Sequence, residues 1–384
     1  MQFEFATSNR IIFGPGTADE VPSIAAGMGN RAFVVVGRSL NRAQPLLEKL
    51  NKKGIEYETF HVPGEPTTEL VLEAMQRIRQ AEFQFVIGIG GGSVIDTGKV
   101  IAALITNPGH LSDYLEIVGK GRQISQAPVP YIAIPTTSGT GAEVTRNSVL
   151  ADVEHQVKVS MRSPLMLPSV AVVDPELTYA MPPEITASTG LDALTQLMEA
   201  YVSQHSNPLT DGICREGLQR AAFSLRKAYE DGSDKTAREN MSLASLFGGL
   251  ALANAKLGAV HGFAGPLGGI FSAPHGFICG RLLPFVMETN VKSLRSRAPD
   301  SAALARYNEV ACIITGKDTA QAADGVAWVQ YLCKQLKVPP LSTFGISQTD
   351  IPMVVEKSKN ASSMKGNPIR LTDEELTEIL NRAV

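Results

Sequence analysis

The sequence predicts an α/β fold with a parallel, doubly wound sheet in residues 1–180, followed by an all-helical domain in residues 181–384. Three observations carry this. Short runs of β-branched and aromatic residues alternate with helical-period segments as far as VAVVDPEL, a rhythm that builds βαβ units. One of those strands ends in three consecutive glycines and runs straight into a helix, FVIGIGGGSVIDTGK from Phe85 to Lys99. From Pro182 onward, almost every stretch carries apolar residues at helical spacing.

Taken in order, residues 2–5 and 10–13 flank a Ser-Asn turn and read as a hairpin. Ala32–Val36 is a buried strand, and Gly37-Arg38-Ser39 leads from it into a helix marked by Leu46, Leu47 and Leu50. Tyr57–Val62 is the next strand, and a helix over 67–81 carries Leu70, Val71, Ala74, Met75 and Ile78. The segment 107–129, rich in Gly, Pro and Gln, reads as loop with a short helix, and Tyr131–Ile134 as a strand. Helices are expected at 186–204, 209–230, 236–256, 302–314, 320–336 and 372–382, with SLRSRAP at 293–299 as a solvated loop.

Composition narrows the function. A net charge of −3 offers no basic face for nucleic acid. Cys214, Cys279, Cys312 and Cys333 form no CxxC pair, which argues against a disulfide framework or a structural zinc site. The start, MQFEFATSNRIIFGPG, lacks the pattern of a secretory leader, and no apolar run reaches the ~18 residues of a membrane span. A cytoplasmic protein with no membrane partner is expected.

Four places carry chemistry. Gly90, Gly91 and Gly92 let a ligand approach the main chain, and the helix start behind them suits a phosphate, with Ser93 as hydroxyl donor or cap. The Ser/Thr/Gly loop after the Tyr131 strand can form a second wall of the same site, since both loops lie at strand carboxyl ends. Asp192 and Gln196, spaced i, i+4, share one face of a helix. His261 and His275 lie fourteen residues apart across FAGPLGGIFSAP, a Gly/Pro-rich link expected to bend the chain so that both rings can meet.

GGGSVIDTGK, IPTTSGTGAEVT at 134–145, GLDALTQLMEAYVS at 190–203 and VHGFAGPLGGIFSAPHG at 260–276 resemble the successive signatures of the iron-containing, or group III, alcohol dehydrogenase family. The resemblance spans nearly the whole chain. It implies a dinucleotide-binding N-terminal domain and an all-α C-terminal domain, an architecture shared with dehydroquinate synthase, with the active site in the cleft between them. It implies that Gly91, Gly92, Ser93 and Asp96 touch pyrophosphate and ribose. Thr136, Thr137 and Thr140 would lie along phosphate and nicotinamide, with Lys158 nearby. Asp192, His261 and His275 would be catalytic as ligands of a divalent metal, Fe2+ or Zn2+.

Two positions depart from the family pattern. The fourth metal ligand, normally histidine, is Gln196, whose neutral carbonyl oxygen is a weak donor beside imidazole. One carboxylate and two imidazoles still make a catalytic set with an open position. Gly265 stands where relatives often have a histidine fit for proton relay. Both changes resemble branches approaching maleylacetate reductases. After Val36 the chain has Gly37-Arg38-Ser39 rather than an acid, so Arg38 and Ser39 could hold a 2′-phosphate, favouring NADP(H) over NAD(H). The implied function is NAD(P)-dependent, metal-assisted interconversion of an alcohol with an aldehyde or ketone, by a homodimer. The alternatives are a metal-independent oxo-acid reductase and an NAD-using lyase or cyclase. Met198, Phe263, Leu267 and Phe271 read equally as an apolar pocket or as core.

Overall fold

The computed structural model describes residues 2–79, 81–155 and 157–384. The chain divides into two compact units, a sheet unit of Ala6–Thr137 with Gly141–Tyr179 and a helical unit of Ala180–Val384 joined by Ser138–Thr140 and the residues up to Phe5.

In the sheet unit, six strands pair in parallel in the order β1-β8-β5-β4-β2-β3. They are β1 (Arg10–Phe13), β2 (Arg31–Val36), β3 (Glu56–His61), β4 (Phe85–Gly90), β5 (Tyr131–Pro135) and β8 (Val170–Val173). β6 (Asn147–Asp152) and β7 (Val157–Arg162) form a separate antiparallel pair. Strands β4, β5 and β8 are buried at every residue, which is why they read as unbroken apolar runs. Alternation sorts their side chains between two cores. Val34, Val36, Ile87 and Ile89 pack with Leu46, Leu47 and Leu50 on one face, while Phe33, Val35 and Val86 pack with Ala74, Ile78 and Ile95 on the other. Each such buried aliphatic contributes about 1.5–3 kcal/mol, so the doubly wound arrangement follows from covering both faces.

The strand order fixes a ligand position. From β2 the chain steps outward to β3, then returns across β2 to β4 and proceeds the other way through β5 to β8. The order therefore reverses between β2 and β4, the place where open parallel sheets bind ligands beyond their carboxyl ends.

In the helical unit, the Pro183–Val202 helix is buried on all sides from Thr186 to Val202, apart from Thr189, and the helices Pro208–Glu230, Lys235–Ala255 and His275–Arg297 pack around it. A helix covered all round has no amphipathic face to display. Helices Ala259–Ile270, Ala302–Thr315, Ala322–Gln335, Ile351–Ser358 and Asp373–Ala383 complete the unit. Met198, Phe263 and Leu267 are core residues here, with Phe271 packed at the margin.

Two local expectations are corrected. No strand forms over residues 2–5, and the expected hairpin is absent because β1 pairs in parallel with the distant β8, Arg10 opposite Val170. That pairing leaves no mark in a local pattern. Residues 293–297 are not loop but the last turn of the His275–Arg297 helix, where Arg295 and Arg297 favour the negative end of the helix dipole and Arg297 pairs with Glu375 at 2.7 Å. The Gly/Pro-rich link does bring the two rings together, with centroids 5.5 Å apart, and it does so as two helices: the Ala259–Ile270 helix includes Pro266, and only Phe271–Pro274 breaks it from the next. No single helix among the described residues is long and apolar enough to cross a membrane.

Candidate active site

On the sheet unit, the two loops expected to share a ligand do meet. Gly90 lies opposite Pro135 in the β4–β5 register, and the Thr136 amide donates to the Gly90 carbonyl at 2.8 Å. The Gly92–Thr106 helix begins at Gly91 with no side chain capping it, so its first amides and its dipole face outward from the end of β4. Ser93 lies in the first turn rather than at the cap. Thr136 is buried and Thr137 half-buried beside Gly91, about a van der Waals contact away at 3.5 Å for a Cβ placed on that glycine. Across the switch point, Arg38 is exposed beyond β2, with Nε donating to the Pro63 carbonyl at 3.2 Å, and Ser39 Oγ accepts from the Asn41 amide.

Other residues singled out for the cofactor also make contacts within the fold. Asp96 accepts from Lys99 Nζ at 2.9 Å and from the Val149 amide at 2.9 Å. Lys99 is fully buried and also donates to Thr145 Oγ1 at 3.0 Å and to the Asn147 carbonyl, so all three of its protons are used. Lys158 pairs with Glu65. Thr140 groups with the helical unit, where its carbonyl accepts from Gln196 Nε2 at 3.4 Å.

In the helical unit, Asp192, His261, His275 and Cys279 bring one donor atom each within 4.8 Å of one another. The helix supplying Asp192 also supplies Gln196 and Glu199, four and seven residues on and so on the same stripe. The chain bends by 100° between the Lys235–Ala255 and Ala259–Ile270 helices, and His261 stands in the first turn after the bend. Glu199 fixes it there. Its Oε1 accepts the Val260 amide at 2.7 Å, serving a helix start with no side-chain cap, and its Oε2 accepts from His261 Nδ1 at 2.7 Å. With Nδ1 so engaged, Nε2 faces Asp192 Oδ1 at 3.2 Å, and His275 Nε2 lies 3.7 Å from the same oxygen. Asp192 is buried and the His261 side chain keeps 8% of its surface, while the His275 side chain keeps 38%, giving the cluster an open side.

The donors fit a divalent cation. Bond lengths of about 2.0–2.3 Å at tetrahedral angles put neighbouring donors about 3.3–3.6 Å apart. The separations here are 3.2 and 3.7 Å from Asp192 to the imidazoles and 3.9 Å from Cys279 Sγ to both Asp192 Oδ1 and His261 Nε2. Charge is arranged to match. Burial would raise the Asp192 carboxyl, but His275 and His261 hold it below its ordinary value. Burial would lower both imidazoles, yet Cys279 and Asp192 lift His275, and these with Glu199 lift His261 well above the usual histidine range. The Cys279 thiol, pushed up by burial, is drawn down by the two histidines. Protons held by the donors are the ones a cation displaces.

Gln196 reaches the cluster differently from the expectation of a ligand. Its NH2 donates toward Asp192 and to the Thr140 carbonyl, while its buried Oε1 lies against Gly248 with no hydrogen-bond partner among the described residues. Glu199 and Cys279 went unread in the sequence. The signals were Glu199 seven residues after Asp192 and Cys279 four after His275, each a same-face helical spacing.

Comparison with known proteins places this geometry in context. A model described as iron-containing alcohol dehydrogenase matches residues 8–175, and the model for the C-terminal part of the Fe-containing alcohol dehydrogenase family matches residues 186–384. The chain is 33% identical over 379 residues to alcohol dehydrogenase 4 of Saccharomyces cerevisiae, covering 97% of this chain and 96% of that one. A crystal structure of 1,3-propanediol oxidoreductase superposes over 100% of both chains with a TM-score of 0.91 at 31% identity. Sulfoacetaldehyde reductase of Bifidobacterium kashiwanohense, solved in complex with NAD+, covers 100% of this chain and 99% of its own with a TM-score of 0.88 at 29% identity.

Proposed function

The chain belongs to the iron-containing alcohol dehydrogenase family, and we propose that Asp192, His261 and His275 form the centre at which it handles its carbonyl substrate. It is an oxidoreductase that interconverts an alcohol and the matching aldehyde or ketone with a nicotinamide dinucleotide as hydride carrier. When bound, a divalent ion held by Asp192, His261 and His275 supplies the positive charge that polarises the carbonyl, and the nicotinamide supplies or takes the hydride. The observation that carries this reading is the convergence of one carboxylate and two imidazoles, backed by Glu199, at a single point.

The chain's own residues bind and orient. Glu199 keeps the Nδ1 proton of His261, so Nε2 turns its lone pair toward the cluster. Asp192 contributes the one carboxylate that touches both imidazoles. The space beside Gly265 is open for 4 Å around a Cβ position, room for water to deliver a proton.

For the nucleotide, the uncapped helix start at Gly91, Gly92 and Ser93 receives the pyrophosphate, with Thr136 and Thr137 beside it, a reading supported by the reversal of strand order between β2 and β4. Arg38 and Ser39, beyond β2, favour NADP(H), the exposed guanidinium being steadied through Nε. A homodimer formed through edge strand β1 is supported by its place at the margin of the sheet, and four unpaired cysteines accord with a reducing compartment.

The test is His261→Ala with NADPH or NADH oxidation followed on a panel of short aldehydes. Turnover is lost while nucleotide affinity changes little, because the nucleotide residues lie on the sheet unit. Turnover that survives the change would overturn the metal-centred reading.

A further inference from the structure

Cys279 has no part in the reading above, yet its sulfur sits among the same donor atoms, 3.9 Å from Asp192 Oδ1 and 3.9 Å from His261 Nε2. Two features of the fold put it there. Four residues separate it from His275 on one helix, so both side chains leave from the same face. Gly276 and Gly280, also four apart, let that helix lie directly on the Asp192 helix: a Cβ at Gly276 would fall 1.7 Å from the Ser188 carbonyl oxygen, and one at Gly280 2.6 Å from the Leu191 side chain. Any larger residue at either position would lift Cys279 away from Asp192. The thiol is fully buried and unpaired in any disulfide. Meanwhile Gln196, at the position where the sequence pattern calls for a fourth ligand, offers the cluster its NH2, a donor that no cation accepts.

We propose that Cys279 is a metal ligand, its thiolate taking the fourth place beside Asp192, His261 and His275, and that this donor set selects zinc over iron. The inference rests on the metal reading of this site. On binding, a sulfur–metal bond forms and the thiol proton passes to solvent. Asp192 and Cys279 together then balance the two charges of the ion. A thiolate is a soft ligand, and zinc outranks ferrous iron in affinity for mixed N/S sets. With four protein donors in place, a substrate oxygen would have to join as a fifth ligand from the open side at His275.

The experiment is X-ray absorption of the purified full-length protein loaded with zinc, alongside the visible and near-ultraviolet spectrum of the cobalt(II)-loaded protein, for wild type, Cys279→Ser and Cys279→Ala. Wild type should show a sulfur neighbour at about 2.3 Å and a thiolate-to-cobalt charge-transfer band. Both features vanish in the two variants, and zinc added with ferrous iron in equal amounts is retained preferentially by wild type. Metal bound by wild type with only nitrogen and oxygen neighbours would overturn the thiolate ligand and leave the metal centre standing. A wild-type protein that binds neither zinc nor cobalt would overturn both. Far-ultraviolet circular dichroism and the melting temperature of each variant, matched to wild type, verify that the helical unit is folded.

Discussion

Glu199 Oε2 accepts from His261 Nδ1 at 2.7 Å while the far edge of the same ring faces Asp192 at 3.2 Å, so one carboxylate aims a histidine at another. Truncation of Glu199 should therefore act through His261. Glu199→Ala is expected to weaken metal binding about 10–100-fold, with Glu199→Gln, which still accepts from Nδ1, recovering part of the loss. Competition with a chromophoric chelator measures it. Equal affinity in all three proteins would remove Glu199 from a positioning role.

Much of this was legible in the sequence because strong local signals coincided with the functional ones. The glycine turn follows an unbroken buried strand, and Asp192 lies within a long helical pattern. What escaped depended on contacts between distant residues. β1 joins β8 across more than 150 positions, and nothing near Arg10 records it. Cys279 became visible as a neighbour of Asp192 only when Gly276 and Gly280 were seen to seat one helix on another. Lys99 and Asp96 follow a motif that suits a cofactor, yet they close on each other and on the strand β6, and sequence spacing does not distinguish those uses.

Arg38 decides between the two nicotinamide dinucleotides in this account. Arg38→Ala removes a guanidinium able to make charge-assisted bonds to a 2′-phosphate, worth about 1.5–3 kcal/mol each. The KM for NADPH should rise about tenfold or more while that for NADH stays within a factor of two. Steady-state kinetics with both cofactors reads the ratio. An unchanged ratio would mean that Arg38 does not touch the ribose.

Glu143 gives the sheet unit a pH dependence. It is 2% exposed, and burial, only partly offset by a backbone hydrogen bond and by Lys99, pushes its carboxyl from 4.5 up to about 7. The folded state thus favours the protonated acid. The associated stability is fully present below about pH 4.5 and is lost as pH rises through about 7, roughly 3 kcal/mol at about 1.4 kcal/mol per pH unit. Glu143→Gln, neutral at every pH, should flatten the fall in melting temperature between pH 5 and pH 8 and raise it at pH 8. Parallel curves for the two proteins would count against this assignment.

Lys99 carries a larger penalty. Its buried ammonium is satisfied by Asp96, Thr145 and Asn147, so Lys99→Ala leaves the Asp96 carboxylate without its cation. A loss of about 3–5 kcal/mol is expected for breaking such a buried pair from one side, measured by urea denaturation. A loss below 1 kcal/mol would show that Asp96 and Lys99 are solvated.

The most direct test of the account is the metal content of the purified protein by elemental analysis, before and after chelation, with carbonyl reduction assayed at each stage. About one zinc or iron per chain, activity abolished by chelation and restored by adding the metal back, is the result expected from the Asp192, His261 and His275 cluster. Full turnover in protein stripped of metal would contradict it.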